Sequence, residues 1–216
     1  VTHLDVAGLL FDNDGVLVDS VASGNEAWTQ WAGEHDLDAA HVLELIHGRR
    51  AADTVATLLP ADQVVRATER IDELELSTSG ATVALPGALA LLTSLTEAGL
   101  PWAVATSATR RLALARLGAA GLPVPDVLVT ADDVAHGKPA PDPYVEAATR
   151  LGLDPADCVV LEDSPAGVEA GVAAGARVVG VSLPEGAPGT DLVVADLSEL
   201  TAVAQGAGVR LRRGRS

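Results

Sequence analysis

The chain has 216 residues and a formal charge of −16, with 14 basic against 30 acidic residues. That balance excludes a nucleic-acid partner, whose phosphate backbone needs clustered Lys and Arg, and it repels anionic membranes. Nearly half the residues are hydrophobic but only 2% are aromatic, so a substantial core must be assembled from Ala, Val and Leu. The length suits a core domain carrying a small insert, and disorder is expected only in the basic tail from Arg210 to Ser216. The single cysteine, Cys158, excludes an intramolecular disulfide and suits a reducing compartment. No stretch approaches the ~20 apolar residues of a membrane span. Val1 to Phe11 holds Asp5 and no basic leader, so it does not read as a signal peptide. A cytoplasmic monomer is expected.

In chain order, Val6–Phe11 is a short apolar run ending in polar loop residues, the pattern of a parallel strand buried on both faces. Similar runs follow at Trp102–Ala105, Val127–Val129, Cys158–Leu161 and Val178–Val181, with a weaker one at Leu192–Ala195. Helical stretches lie between them at Ala88–Ala98, Arg110–Ala119, Pro143–Leu151 and Pro165–Ala173, with Pro-Gly, Ala-Gly and Gly-Leu-Pro marking the joins. The alternation predicts an α/β fold, a doubly wound, Rossmann-like parallel sheet with helices on both faces. Residues 19–82 break the rhythm. Asn25–Glu34, Ala39–Ile46, Ala52–Leu59 and Ala61–Leu76 read as amphipathic helices with no strand among them. This region is expected to be a helical cap inserted into a discontinuous core made of 1–18 and 83–216, hinged near Val18–Ser20 and Ser79–Leu85.

Four short motifs fall where strands end, and in open α/β sheets the carboxyl ends of strands are where ligands bind. In Phe11-Asp12-Asn13-Asp14-Gly15, Asp12 and Asp14 lie two apart and share a face of an extended segment. Their repulsion is costly unless a cation lies between them or one is protonated, although an Asp-rich loop or cap is the plain alternative. Ala105-Thr106-Ser107 opens a helix with hydroxyls and backbone N–H groups, which can form an anion site or merely an N-cap. Leu161-Glu162-Asp163-Ser164 places adjacent acids at a strand end, suited to Mg²⁺ or again to a helix cap.

The remaining motif, His136-Gly137-Lys138-Pro139-Ala140-Pro141, holds the chain's single lysine, since 13 of the 14 basic residues are Arg. An exposed loop lysine is one reading. The other is a compact ammonium shared between a carboxylate and a phosphate, a spot that Arg, longer and planar, does not fit. On that second reading Lys138→Arg folds normally, with an unchanged melting temperature, and loses activity.

Two acids, a hydroxyl, a lysine and two more acids at successive strand ends resemble the haloacid dehalogenase superfamily, and the resemblance covers essentially the whole chain. Phe-Asp-Asn-Asp-Gly-Val-Leu-Val-Asp-Ser, Gly-Lys-Pro-Ala-Pro-Asp-Pro-Tyr and Leu-Glu-Asp-Ser-Pro-Ala-Gly are similar to its β-phosphoglucomutase-like and sugar-phosphatase branch. The resemblance implies a Mg²⁺-dependent phosphatase acting on a small phosphorylated metabolite through an aspartyl-phosphate. In it Asp12 is the nucleophile and Asp14 the general acid and base. Thr106 and Ser107 hold phosphate, and Lys138 bridges Asp12 and phosphate. Asp12, the Asp14 carbonyl and Asp163 ligate the metal, with Glu162 beside it or bound to it.

Within the family, Asp14 argues against dehalogenation, which has no phosphate leaving group to protonate. The mutase branch is the main rival. Its members carry a His where this chain has Gly24, and a Lys-Gly-x-Ser-Arg cap segment where this chain has Ile46-His47-Gly48-Arg49-Arg50. The latter is more similar to the His-Gly-x-Arg segment of glycerol and deoxyglucose phosphate phosphatases. His47, Gly48, Arg49 and Arg50 are therefore candidate substrate residues, with a solvated helix face as the alternative for the two arginines. A signalling receiver domain also combines acids, a hydroxyl and a Lys-Pro, but it is shorter, has no insert and places its lysine last. Turnover of p-nitrophenyl phosphate separates the two, because a receiver labels once and stops.

Overall fold

The computed structural model describes residues 3–206 and 208–214. The chain opens with β1 (His3–Val6) and β2 (Gly8–Phe11), then β3 (Val18–Asp19), four helices, α1 (Val21–Glu34), α2 (Ala39–Leu45), α3 (Ala51–Leu58) and α4 (Ala61–Thr78), and β4 (Val83–Ala84). Strands and helices then alternate through α5 (Ala88–Glu97), β5 (Trp102–Ala105), α6 (Arg110–Ala119), β6 (Leu128–Val129), α7 (Asp142–Leu151), β7 (Cys158–Glu162), α8 (Pro165–Ala173), β8 (Arg177–Val181) and β9 (Leu192–Val194). The chain ends in β10 (Leu200–Gln205) and β11 (Gly208–Arg213).

Six parallel strands form the central sheet in the order β6-β5-β2-β7-β8-β9. Their continuous apolar runs are buried on both faces because successive side chains point to opposite sides of the sheet. Leu9, Phe11, Val104, Val159 and Leu161 pack with Leu91, Leu92, Leu95 and Leu117 of α5 and α6. Leu10, Ala103, Ala105 and Val160 pack with Tyr144, Ala147 and Ala148 of α7 and with Val168 of α8. The doubly wound α/β architecture expected from the alternation is the one observed.

The single strand expected over Val6–Phe11 is two strands. The chain breaks at Ala7, whose N–H donates to the Asp157 carbonyl at 2.6 Å, and β2 begins at Gly8. β1 is diverted into a separate antiparallel sheet, β1-β11-β10. This also corrects the basic tail. Arg210–Arg213 is ordered as the central strand of that sheet, and only Arg215 and Ser216 of the tail lie outside the described residues. Charge density hides an alternating pattern there. Val209 and Leu211 are buried, while Arg210 pairs with Asp5 at 2.6 Å and Arg213 with Glu199 at 2.8 Å.

The helices α1–α4 build a second small core of Trp28, Trp31, Val42, Val55, Ile71 and Leu74. The Trp31 indole N–H donates to the Ala67 carbonyl at 2.9 Å and ties α1 to α4. At the base of this helical unit β3 and β4 pair antiparallel, so the chain leaves and re-enters at one place.

Candidate active site

Strands β5, β2 and β7 are neighbours, with Phe11 opposite Val104 on one side and Leu161 on the other. The residues just past their ends, Thr106, Asp12 and Asp163, therefore lie side by side along one sheet edge. The loop before α7 carries Lys138 beneath them. Its Nζ sits 2.8 Å from Asp12 Oδ1 and 2.7 Å from Glu162 Oε1. Lys138 is 1% exposed, which removes the exposed-loop reading of this residue. An ammonium has three N–H donors, so one remains beyond these two contacts. Burial works against the charge on Lys138, but the two carboxylates outweigh it and hold the ammonium above its usual range.

Glu162 is wholly buried and its carboxylate is saturated. Oε1 accepts from Lys138 and from the Tyr144 hydroxyl at 2.7 Å, and Oε2 accepts from the N–H groups of Asp163 and Ser164 and from the Ser164 hydroxyl, all at 3.0 Å. Burial alone would raise its pKa; Lys138 and the other donors lower it below the usual carboxylate range. Asp12, Glu162 and Asp163 each bring a carboxylate oxygen within 4.8 Å of the others. Of the three, Glu162 is the one whose oxygens already accept five hydrogen bonds. Asp12 is pushed well above the usual range by burial, with Lys138 opposing and Glu162, Asp163 and Asp14 adding to the rise. Burial and Glu162 likewise push Asp163 up to about 7. Lys138 leaves negative charge at this edge unneutralised, and an all-oxygen donor set of this kind fits Mg²⁺.

Two glycines keep this packing possible. A Cβ at Gly167 would fall on the Glu162 carboxylate, and one at Gly15, where φ is +81°, would fall on that of Asp163. Gly167→Ala is expected to dislodge Glu162 from Lys138, lowering both the melting temperature and turnover of p-nitrophenyl phosphate. Gly33→Ala, with nothing within 4 Å of the new Cβ, should leave both unchanged. Equal behaviour of the two variants would show that the Glu162 seat is not under this constraint.

Asp14 faces the other side of the same opening. Its Oδ1 accepts from the Ser20 hydroxyl at 2.6 Å and forms an ion pair with Arg116 Nη1 at 3.0 Å. Its Oδ2 has weaker contacts, Asn13 Nδ2 at 3.3 Å and Thr106 Oγ1 at 3.4 Å. A cavity of about 410 Å³ lies above, lined from the sheet edge by Asp12, Asp14, Thr106, Ser107 and Asp163. From the helical unit His47, Gly48, Arg49 and Arg50 line it as well. Lys138 and Glu162 lie behind this wall. Ser107 Oγ donates to the Gly48 carbonyl at 3.0 Å. Arg50 is engaged bidentately by Asp53, at 2.7 and 3.0 Å, and donates to the Val134 and Ala135 carbonyls at 3.2 Å. Of the two arginines, Arg49 is the exposed one.

Several residues of this site escape sequence reasoning. Tyr144 supports Glu162 from inside α7, Arg116 reaches Asp14 from α6, and Asn25, Thr68, Asp72 and Glu75 enter the cavity from α1 and α4. The α4 group lies at i, i+4 and i+7 of an amphipathic helix, the one signal that could have marked a polar face turned inward.

Residues 6–175 match the model of the haloacid dehalogenase-like hydrolases. The chain belongs to that family. It is 44% identical over 205 residues to hexitol phosphatase A of Escherichia coli K12, covering 92% of this chain and 94% of that one. It is 34% identical to glycerol-1-phosphate phosphohydrolase 2 of Saccharomyces cerevisiae, covering 83% and 76%. A hydrolase from Pseudomonas syringae, 27% identical, superposes with a TM-score of 0.82 over 89% of this chain and 94% of that one. The haloacid dehalogenase-like hydrolase described here is a phosphatase, as its motifs imply. No helix among the described residues is long and apolar enough to cross a membrane.

Proposed function

We propose that this haloacid dehalogenase-like hydrolase is a Mg²⁺-dependent phosphatase that hydrolyses a sugar or polyol monophosphate through an aspartyl-phosphate on Asp12. The observation that carries this reading is the Asp12–Lys138–Glu162 chain at 2.8 and 2.7 Å, set opposite Asp14 under one cavity. A carboxylate attacks a phosphoryl group only where the converging negative charge is offset. Lys138, held by Glu162, supplies one buried positive charge to Asp12 and keeps one N–H for a phosphate oxygen. Thr106 and the Ser107 backbone, in the loop between β5 and α6, take the other oxygens. Asp12 attacks phosphorus as Asp14 protonates the departing alkoxide. Asp14 then takes a proton from the water that cleaves the aspartyl-phosphate, which returns both groups to their starting states.

Asp12, Asp163 and the Asp14 carbonyl would hold the metal, which when bound would neutralise phosphate charge and orient the transferring group. Glu162 acts on Lys138 instead, because five donors already occupy its oxygens. Activity is expected to fall to background in EDTA and to return with added Mg²⁺. Full turnover in metal-free buffer would sink this part of the reading.

The helical unit of residues 19–82 serves as a cap that closes the cavity over the substrate. Its wall favours hydroxyls. Thr68 Oγ1 is buried without a hydrogen-bond partner among the described residues, and Asn25 and Asp72 stand in the same lining. Burial, with Asp132 adding to it, pushes Asp72 up to about 6. Such a wall suits the polyhydroxylated tail of a sugar or polyol and disfavours a second phosphate. Gly24 lines the cavity where the mutase branch carries its imidazole, which favours hydrolysis over intramolecular transfer. The test is phosphate release across a panel of sugar and polyol mono- and bisphosphates. An isomerised sugar phosphate without free phosphate would return the mutase.

A further inference from the structure

Arg116 is a buried cation that the catalytic scheme above does not use. It lies on α6 and is 5% exposed. Its two terminal nitrogens are divided between carboxylates from different parts of the molecule: Nη1 is 3.0 Å from Asp14 Oδ1 and Nη2 is 3.0 Å from Oε1 of Glu75, which belongs to the cap helix α4. Nε has no partner among the described residues, so the side chain's polar contacts are concentrated in this bridge. Asp72, on the same face of α4, adds negative charge around Glu75, as Asp12 and Asp163 do around Asp14.

The geometry points to Arg116 and Glu75 as positioning residues for the general acid, a clasp from core to cap that holds Asp14 Oδ1 and leaves Oδ2 to carry the proton. The inference rests on the phosphatase reading and on the role of Asp14 in it. A guanidinium does not give up its proton and only donates, so Oδ1, 3.0 Å from Nη1 and already accepting from the Ser20 hydroxyl, has no room for a proton of its own. The acid proton is therefore assigned to Oδ2, the oxygen on the Thr106 side, which is the side on which the phosphatase reading seats the phosphate. Without Glu75 the guanidinium is free to swing wholly onto Asp14; without Arg116 the two carboxylates confront each other and Asp14 turns away. Because Glu75 is carried by the cap, the placement of the acid is tied to the seating of the cap.

A leaving group's need for a proton grows with its basicity, and that separates positioning of an acid from plain structural support. We would measure kcat/KM, which reports the steps through loss of the leaving group, on aryl phosphates of graded phenol acidity and on glycerol 1-phosphate. The wild type, Glu75→Gln, Arg116→Gln, Arg116→Lys and Asp14→Asn are compared, each with a thermal melt. Glu75→Gln and Arg116→Gln are expected to lose ~10- to 100-fold on the alkyl phosphate and the most basic phenols. On p-nitrophenyl phosphate they should lose less than about 3-fold, because that leaving group needs little protonation. The plot of log kcat/KM against phenol pKa steepens as it does in Asp14→Asn. Arg116→Lys keeps the charge but not the fork, and should lie between the wild type and Arg116→Gln.

A uniform drop across the series, with the slope unchanged, would overturn the proposal and leave the pair as structural support. Wild-type values throughout would overturn it too. If the buried Arg116 variants fail to fold, Glu75→Gln, at the cavity wall, decides alone. A steeper slope in Asp14→Asn but not in Glu75→Gln defeats the clasp and spares the phosphatase reading. No change of slope in Asp14→Asn defeats that reading itself, and the clasp with it.

Discussion

Asp12→Asn is expected to fold, to bind phosphate and to turn over nothing. The amide keeps the shape of the carboxylate and still accepts from Lys138, but it cannot attack phosphorus. Loss of a covalent nucleophile typically costs more than ~10⁴-fold in kcat, as the non-additive losses seen with other nucleophiles show. Stability should hold or rise. The Asp12 carboxyl is pushed well above its ordinary range by burial and by three neighbouring carboxylates. A folded-state value above the unfolded one means that ionising this group as pH rises opposes folding, and the amide removes that penalty. The measurement is acid-quenched mass spectrometry for a phosphoryl adduct alongside a thermal melt. Retained turnover, or an adduct in the Asn variant, would move the nucleophile elsewhere.

Lys138→Met is expected to lose both activity and stability. The ammonium is the cation between Asp12 and Glu162, and both carboxylates are buried. Removing one partner of such a pair costs about 3–5 kcal/mol, because the charges left behind are uncompensated. At roughly 2–4 °C per kcal/mol for a chain of this size, the melting temperature should fall by about 6–20 °C. Lys138→Met with Glu162→Gln should recover part of that stability and none of the activity, the coupling expected of contacting residues. A single variant that melts with the wild type would refute the buried-pair account. Lys138→Arg also departs from the sequence-based expectation of an unchanged melt. In a site with 1% exposure the larger side chain overpacks the Tyr144 and Glu162 pocket, at a cost of about 1–3 kcal/mol.

Much of the architecture is written in local pattern. Unbroken apolar runs ending in Asp12, Thr106 and Glu162-Asp163 are legible as parallel strands with chemistry at their carboxyl ends, because a strand buried on both faces cannot hide polar residues until it stops. The helical stretch between residues 19 and 82 is legible for a similar reason, since its apolar spacing follows a helix and not a strand. The scarcity of lysine marks Lys138, since Arg stands at the other 13 of 14 basic positions, and the buried seat between Asp12 and Glu162 supplies the reason the sequence alone lacks.

The partners of those residues were decided by tertiary structure. The sequence leaves Glu162 either beside the metal or bound to it, and strand alternation turns its carboxylate beneath the sheet edge onto Lys138 and Tyr144, because which face a terminal residue takes depends on strand register. Arg116 and Glu75 are 41 positions apart on two different helices, and each looks like an ordinary charge on a solvated face. Arg210–Arg213 looks like a loose basic tail until β1 and β10 flank it. Local sequence determines periodicity and strand ends, which depend on neighbours a few residues away. Which charge meets which depends on how the helices pack over the sheet, and that packing energy is spread over the whole core rather than encoded at any one motif.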